Sequence, residues 1–155
     1  MAYLNPIQSC CKNSPNNERL LLRTISAAVI VPNRKVMTIV GDGGFLTNVQ
    51  EMETARRLNS DIAVMVWEDG GYGLIEWEQD NTYGGHADLT LRNPKWGLLA
   101  ESFVWSYNYV DESTALLDTI KTALDRSGPS LIVVPIDFRE NAILTKHRGE
   151  ITMGL

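Results

Sequence analysis

The hydrophobic positions of this chain change their period from one stretch to the next. From Leu20 to Val31 the residues Leu21, Leu22, Ile25, Ala28 and Val29 recur at helical spacing until Pro32-Asn33 breaks the pattern, which predicts a helix. Val36-Met37-Thr38-Ile39-Val40 is a short apolar run without polar alternation, as a parallel strand buried on both faces requires. Val49, Met52, Ala55 and Leu58 then return to one helical face, with Glu51, Arg56 and Arg57 on the polar side. A second apolar run, Ile62 to Trp67, predicts another buried strand.

Further along, the pattern predicts an irregular segment from Asn81 to Leu91, a helix near Pro94 to Ser102 and a strand near Val104 to Tyr109. A helix from Glu112 to Asp125 and a last strand from Ser130 to Ile136 complete the series. Asp111-Glu112-Ser113 suits a helix start, and Gly128-Pro129 a helix stop. The stripe Leu116, Leu117, Ile120, Ala123 and Leu124 predicts core packing or a buried subunit face. Strands and helices alternating at this length give an α/β fold, with a mainly parallel sheet flanked by helices on both faces.

Composition narrows the class. The chain has 155 residues, 44% hydrophobic and 21% charged, enough for one sizeable core. Residues 1–19, with Pro6, Pro15 and the Asn-rich stretch Asn13 to Asn17, carry no apolar period and read as a loosely packed arm ahead of a single domain over 20–155. A net charge of −5 without a basic cluster argues against a nucleic-acid partner. Cys10 and Cys11 are adjacent, which suits neither a relaxed bridge nor a spaced metal motif and points to a reducing, cytoplasmic setting. No apolar run approaches the roughly twenty residues of a membrane span, and the opening residues lack the features of a signal peptide. His86 and His147 have no second ligand at metal spacing and read as surface residues.

Both apolar runs stop at acidic, glycine-rich turns, Gly41-Asp42-Gly43-Gly44 and Glu68-Asp69-Gly70-Gly71. Ligands of open α/β sheets sit beyond the C-terminal ends of the strands, where such turns lie. Gly43 and Gly44 lack Cβ atoms and so let backbone amides approach a phosphate, while Asp42 offers a hard carboxylate oxygen to Mg2+. Asp69 offers a second carboxylate, and the glycines after it let a backbone carbonyl face the same ion. A Gly-Asp-Gly triplet alone is most often only a tight turn. Here twenty-four residues lie between Gly43 and Glu68, room for a helix and a return strand that bring the two turns side by side. Magnesium takes about six oxygens, and two carboxylates, one carbonyl, two diphosphate oxygens and a water complete that shell.

These motifs resemble the thiamine-diphosphate signature of the acetolactate synthase, pyruvate oxidase and pyruvate decarboxylase group, most nearly that of acetolactate synthases. The likeness runs from about Ile25 to Asn141 through Pro32-Asn33-Arg34-Lys35-Val36, Gly41-Asp42-Gly43-Gly44-Phe45, Gln50-Glu51-Met52-Glu53-Thr54-Ala55, Tyr72-Gly73-Leu74-Ile75, Leu99-Ala100-Glu101-Ser102-Phe103 and Pro135-Ile136-Asp137-Phe138-Arg139-Glu140-Asn141. It implies a thiamine-diphosphate-binding fold with thiamine diphosphate and Mg2+ as cofactors. Asp42 and Asp69 would be the side-chain metal ligands and Gly71 the carbonyl ligand. The amides of Gly43, Gly44 and Phe45 would meet the diphosphate, with Gly41, Tyr72 and Gly73 also at the cofactor. Trp77 would line the substrate channel, and Glu78 to Leu91 would form the loop that closes over the cofactor.

The implied activity is carboligation or decarboxylation of 2-keto acids such as pyruvate, in the manner of branched-chain amino acid biosynthesis. The family completes each site with a pyrimidine-binding domain that carries an activating glutamate, a partner this chain does not encode. The chain is therefore expected to be inactive alone and to form a homo-oligomer or a complex with such a domain. Two departures stand out. Glu68 occupies a position where the family commonly has Asn, and a carboxylate beside a diphosphate repels it unless it points elsewhere. Upstream, Asn16-Asn17-Glu18-Arg19-Leu20-Leu21-Leu22-Arg23 lacks the family's glycine-rich Met-Gly and Leu-Pro segment. These departures leave open a non-catalytic relic or assembly module that keeps the fold without the cofactor. A weaker alternative is another Mg2+-dependent phosphate-binding domain.

Overall fold

The computed structural model describes residues 8–9 and 19–137. In chain order the elements are β1 (Gln8–Ser9), α1 (Leu20–Ile30), β2 (Val36–Gly41), α2 (Asp42–Leu46), α3 (Glu51–Arg57), β3 (Ile62–Glu68), α4 (Gly73–Tyr83), α5 (Trp96–Ser102), β4 (Ser106–Tyr109), α6 (Leu116–Asp125) and β5 (Ser130–Pro135). A 3-10 turn, Ser113–Ala115, leads into α6. The strands form one sheet in the order β1-β2-β3-β5-β4, and every pairing is parallel.

The unbroken apolar runs are explained by burial on both sides of the sheet. Successive side chains of a strand point to opposite faces. On one face Val36 and Val40 of β2, Ile62, Val64 and Val66 of β3, and Leu131 and Val133 of β5 pack with residues of α1, α2, α3 and α5. On the other, Met37, Ala63, Met65 and Ile132 pack with Ala123 of α6. Helices thus cover both faces, in line with the alternation of the sequence. The register sets Gly41 beside Trp67, so β2 and β3 end level with each other. The residues that follow them, Asp42 and Asp69, leave the sheet at the same edge.

At four places the structure departs from the sequence pattern or adds to it. The turn after β2 is helical from Asp42 onward, because Gly41 is extended and the chain closes directly into α2. The first part of what reads as loop from residue 78 is instead helix, since α4 continues to Tyr83 and stops at Gly84, whose φ of 74° is the left-handed cap that glycine adopts at no steric cost, while residues 84–91 are irregular as expected. α4 escapes periodicity because it is mostly exposed and carries no apolar stripe. Leu117 is 68% exposed in this chain, while Leu116, Ile120, Ala123 and Leu124 face the sheet. Finally, β4 begins at Ser106 rather than Val104.

Val104 instead closes α5. Its N–H donates to the Glu101 carbonyl and that of Trp105 to Ala100, both at 2.9 Å, the paired bonds of a Schellman motif. The motif requires a left-handed residue, and Val104 has φ 59°, a conformation that a β-branched side chain strains. Its side chain is 66% exposed and stabilises little by burial. Val104→Gly is therefore expected to raise stability by about 1 kcal/mol, or roughly 3 °C in Tm, measured by thermal unfolding. A lower Tm would contradict the strain argument.

Of the expected arm, Gln8 and Ser9 pair with Met37 and Thr38; the rest of it apart from Arg19, with Cys10 and Cys11, lies outside the described residues. So do His147 and the end of the Pro135 to Asn141 motif from Phe138 on. Among the described residues no helix is long and apolar enough to cross a membrane.

Candidate functional site

Asp42 is the centre of the arrangement. It is 1% exposed, a burial that a carboxylate tolerates only when hydrogen-bonded or paired. Oδ1 accepts from the Gly43 N–H at 2.7 Å. Oδ2 accepts from the Gly70 N–H at 2.9 Å and from Asn93 Nδ2 at 2.7 Å. The Gly70 bond joins the turn after β2 to the turn after β3, so the two acidic turns meet as the spacing predicts. Gly70 takes φ 72° in that turn, where a Cβ would strain the backbone.

Asp69 stands next to Asp42, and its Oδ1 accepts a long bond, 3.4 Å, from the Gly71 N–H. Burial, followed by the neighbouring Asp42 charge, pushes its carboxyl up to about 6 from 3.8. An acid raised on folding is more stable protonated, so its contribution is fully present below about pH 4 and is lost as pH rises through 6. Asp69→Asn is accordingly expected to gain stability over the parent between pH 4 and 7 in metal-free buffer, with no advantage at pH 4. Urea midpoints across that range test it, and a difference independent of pH would refute the juxtaposition.

The remaining residues are brought to the same edge. Gly43, Gly44 and Phe45 lie in the first turn of α2. A Cβ on Gly43 would meet the Tyr72 ring at 2.6 Å and Leu91 at 3.1 Å, so the glycine is required by close approach rather than by its φ. Gly71 forms an antiparallel bridge with Thr90. Leu91 N–H donates to the Gly70 carbonyl at 2.7 Å and Tyr72 N–H to the Leu89 carbonyl at 3.3 Å. The far end of the expected closing loop is thereby tied to the second turn. Tyr72 caps α4, Gly73 begins it, and Trp77, 38% exposed, lies one turn further along. His86 is exposed and bonds to Asp80 at 2.8 Å, consistent with a surface residue.

Sequence reasoning missed two residues. Asn93 Nδ2 donates to Asp42 Oδ2 and, at 3.1 Å, to Glu68 Oε1, while Trp96 Nε1 donates to the same Glu68 oxygen at 2.6 Å. Asn93 Oδ1 is buried and has no hydrogen-bond partner among the described residues. Both residues lie twenty-five or more positions beyond Glu68, Asn93 ahead of α5 and Trp96 at its start. The only local hint was Asn93-Pro94 immediately ahead of a helix.

The donor chemistry fits a hard dication. Two carboxylates converge, and among the described residues no cationic group shifts Asp69 and the buried Asn93 amide oxygen lacks a donor. Among the described residues no group of three or more His, Cys, Asp or Glu side chains could hold a metal. An ion here would take much of its shell from backbone, ligand and water oxygens, as magnesium commonly does.

Residues 23–134 match the family described as thiamine pyrophosphate enzyme, C-terminal TPP binding domain. The catabolic acetolactate synthase of Raoultella terrigena is 33% identical over 120 residues, covering 77% of this chain and 22% of the relative. The acetolactate synthase of Bacillus subtilis (strain 168) is 32% identical over 124 residues, covering 80% and 22%. Among solved structures, the thiamine diphosphate-dependent 4-hydroxybenzoylformate decarboxylase of Rhodococcus jostii RHA1 superposes with a TM-score of 0.70 at 22% identity, over 76% of this chain and 22% of that one, which supports the fold. The chain spans about a fifth of the length of the curated relatives it matches. By fold, turn chemistry and family match, the chain belongs to the thiamine pyrophosphate enzymes, as their C-terminal TPP-binding domain, and its sequence is similar to that of acetolactate synthases.

Proposed function

We propose that this domain holds the diphosphate end of thiamine diphosphate through Mg2+, and supports carboligation or decarboxylation of 2-keto acids such as pyruvate once a pyrimidine-binding domain is present. The observation that carries the reading is the meeting of Asp42 and Asp69 across two strand ends, bridged by the Gly70 amide at 2.9 Å. Asp42, Asp69 and the Gly71 carbonyl would ligate the metal, and the amides of Gly43, Gly44 and Phe45, in the first turn of α2, would face the diphosphate. Gly41, Tyr72 and Gly73 border the same place, and Trp77 would flank the route of the substrate.

When bound, thiamine diphosphate supplies the carbanion chemistry at the keto carbon. The chain's own residues bind and orient: buried Asp42 fixes the two turns relative to each other, and Gly43 leaves the space in which Tyr72 and Leu91 close against α2. The activating glutamate belongs to a partner domain, on the same polypeptide, a second chain or another copy. Alone the domain is inactive under this reading.

Calorimetric titration of the chain with thiamine diphosphate in Mg2+, with and without a pyrimidine-binding domain of an acetolactate synthase, tests it. Heat of binding that disappears with EDTA, and acetolactate formed from pyruvate only with the partner, are the expected results. Absence of binding in both arms would overturn the proposal and leave a relic that keeps the fold without the cofactor.

A further inference from the structure

Three carboxylates crowd the ends of β2 and β3, and only two of them face each other. The third, Glu68, is the last residue of β3, and its backbone carbonyl is fixed by the Ile136 N–H at 2.9 Å. Its side chain turns toward α5, where Oε1 takes the indole N–H of Trp96 at 2.6 Å and the amide of Asn93 at 3.1 Å. Trp96 is itself immobilised: it is 5% exposed at the start of α5 and meets the Phe45 ring edge-on at 5.9 Å. Asn93 uses the same nitrogen on Asp42 Oδ2 at 2.7 Å. Rotating the amide by half a turn would set its oxygen against two carboxylates, so the orientation is dictated by Asp42 and Glu68 together.

We infer that Trp96, Glu68 and Asn93 form a positioning chain for the cofactor site, in which the indole ties the Glu68 carboxylate away from the diphosphate side and Glu68 in turn orients the amide that holds Asp42. The inference rests on the proposed thiamine diphosphate site and extends it to residues that need not touch the cofactor. A short charge-assisted bond to a fixed indole confines a carboxylate that would otherwise be free to swing toward the phosphates. Released, the same charge repels a diphosphate and competes with Asp42 and Asp69 for the metal. The network therefore gives an acidic strand end a structural use at an anion site.

Trp96→Phe keeps a ring against Phe45 and removes only the donor. The full chain is titrated with thiamine diphosphate at fixed MgCl2, with the pyrimidine-binding domain present. Trp96→Phe is expected to raise Kd about 10-fold, and adding Glu68→Gln to that variant is expected to bring Kd back to within about threefold of the parent. An unchanged Kd in Trp96→Phe, or a loss that Glu68→Gln does not rescue, would overturn the inference, the second by showing that Trp96 acts only through packing.

A second readout works without cofactor. In 1H–15N spectra of the chain alone, one indole N–H, assigned by its loss in Trp96→Phe, is expected to lie downfield of the other tryptophans and to move upfield in Glu68→Gln. An indole resonance indifferent to Glu68 overturns the network even where no cofactor binds. Failure of the parent to bind thiamine diphosphate, with the indole shift intact, overturns the proposed function and the cofactor side of this inference while leaving the contact.

Discussion

Asp42→Ala is expected to abolish Mg2+-dependent binding of thiamine diphosphate, with affinity falling at least about 100-fold, since even residues that only support metal ligands cost 10- to 100-fold when changed. The size of the effect comes from two losses at one carboxylate. It is a proposed ligand of the ion, and it is also the acceptor for the Gly70 N–H and for Asn93. Truncation takes this acceptor from the Gly43 and Gly70 N–H groups, at about 1–3 kcal/mol each, leaves Asn93 with Glu68 alone, and unfastens the second turn from the first. Calorimetry with thiamine diphosphate and Mg2+ reads the affinity, and circular dichroism shows whether the fold survives. A folded Asp42→Ala chain with parental affinity would remove Asp42 from the metal site.

Phe45→Ala is expected to destabilise the domain by about 3–5 kcal/mol, a large part of the 5–15 kcal/mol that separates a folded domain from its unfolded chain. The Phe45 ring is 1% exposed and packs with α1, β2 and α5 residues in the larger core, in contact with Trp96. It also lies in the first turn of α2, so the cavity would open beneath the amides proposed to face the diphosphate. Urea unfolding measures the loss, and Phe45→Leu, which leaves a smaller void, is expected to lose less than half as much. A change below about 1 kcal/mol for Phe45→Ala would show that α2 is not anchored through this ring.

Much of this fold was legible because its central strands are buried on both faces. Runs such as Ile62 to Trp67 and Ser130 to Val134 have no other stable place than the middle of a covered parallel sheet, and α1, α3 and α6 each carry an apolar face. The two acidic turns were legible because they follow such strands directly. What the sequence hid has physical causes. α4 is mostly exposed and so gives no periodic signal. The left-handed Val104 contradicts the residue preference of its own position. The Asn93 and Trp96 bonds to Glu68 join segments twenty-five and more residues apart, a contact that only the folded crossover from β3 through α4 creates. The concern that Glu68 would confront the phosphates could not be answered from the sequence, because the direction of its side chain depends on those bonds.

The strand order carries a consequence for how the molecule is made. Among the described residues β5 comes last in chain order, yet it sits between β3 and β4, and β4 pairs there with β5 alone. A nascent polypeptide that has left the ribosome as far as Asp125 thus carries β3 with one bare edge and β4 with no neighbour. Translation arrest or a frameshift ahead of Ser130 would yield both acidic turns on a template for edge-to-edge association, a product destined for aggregates rather than for partial activity.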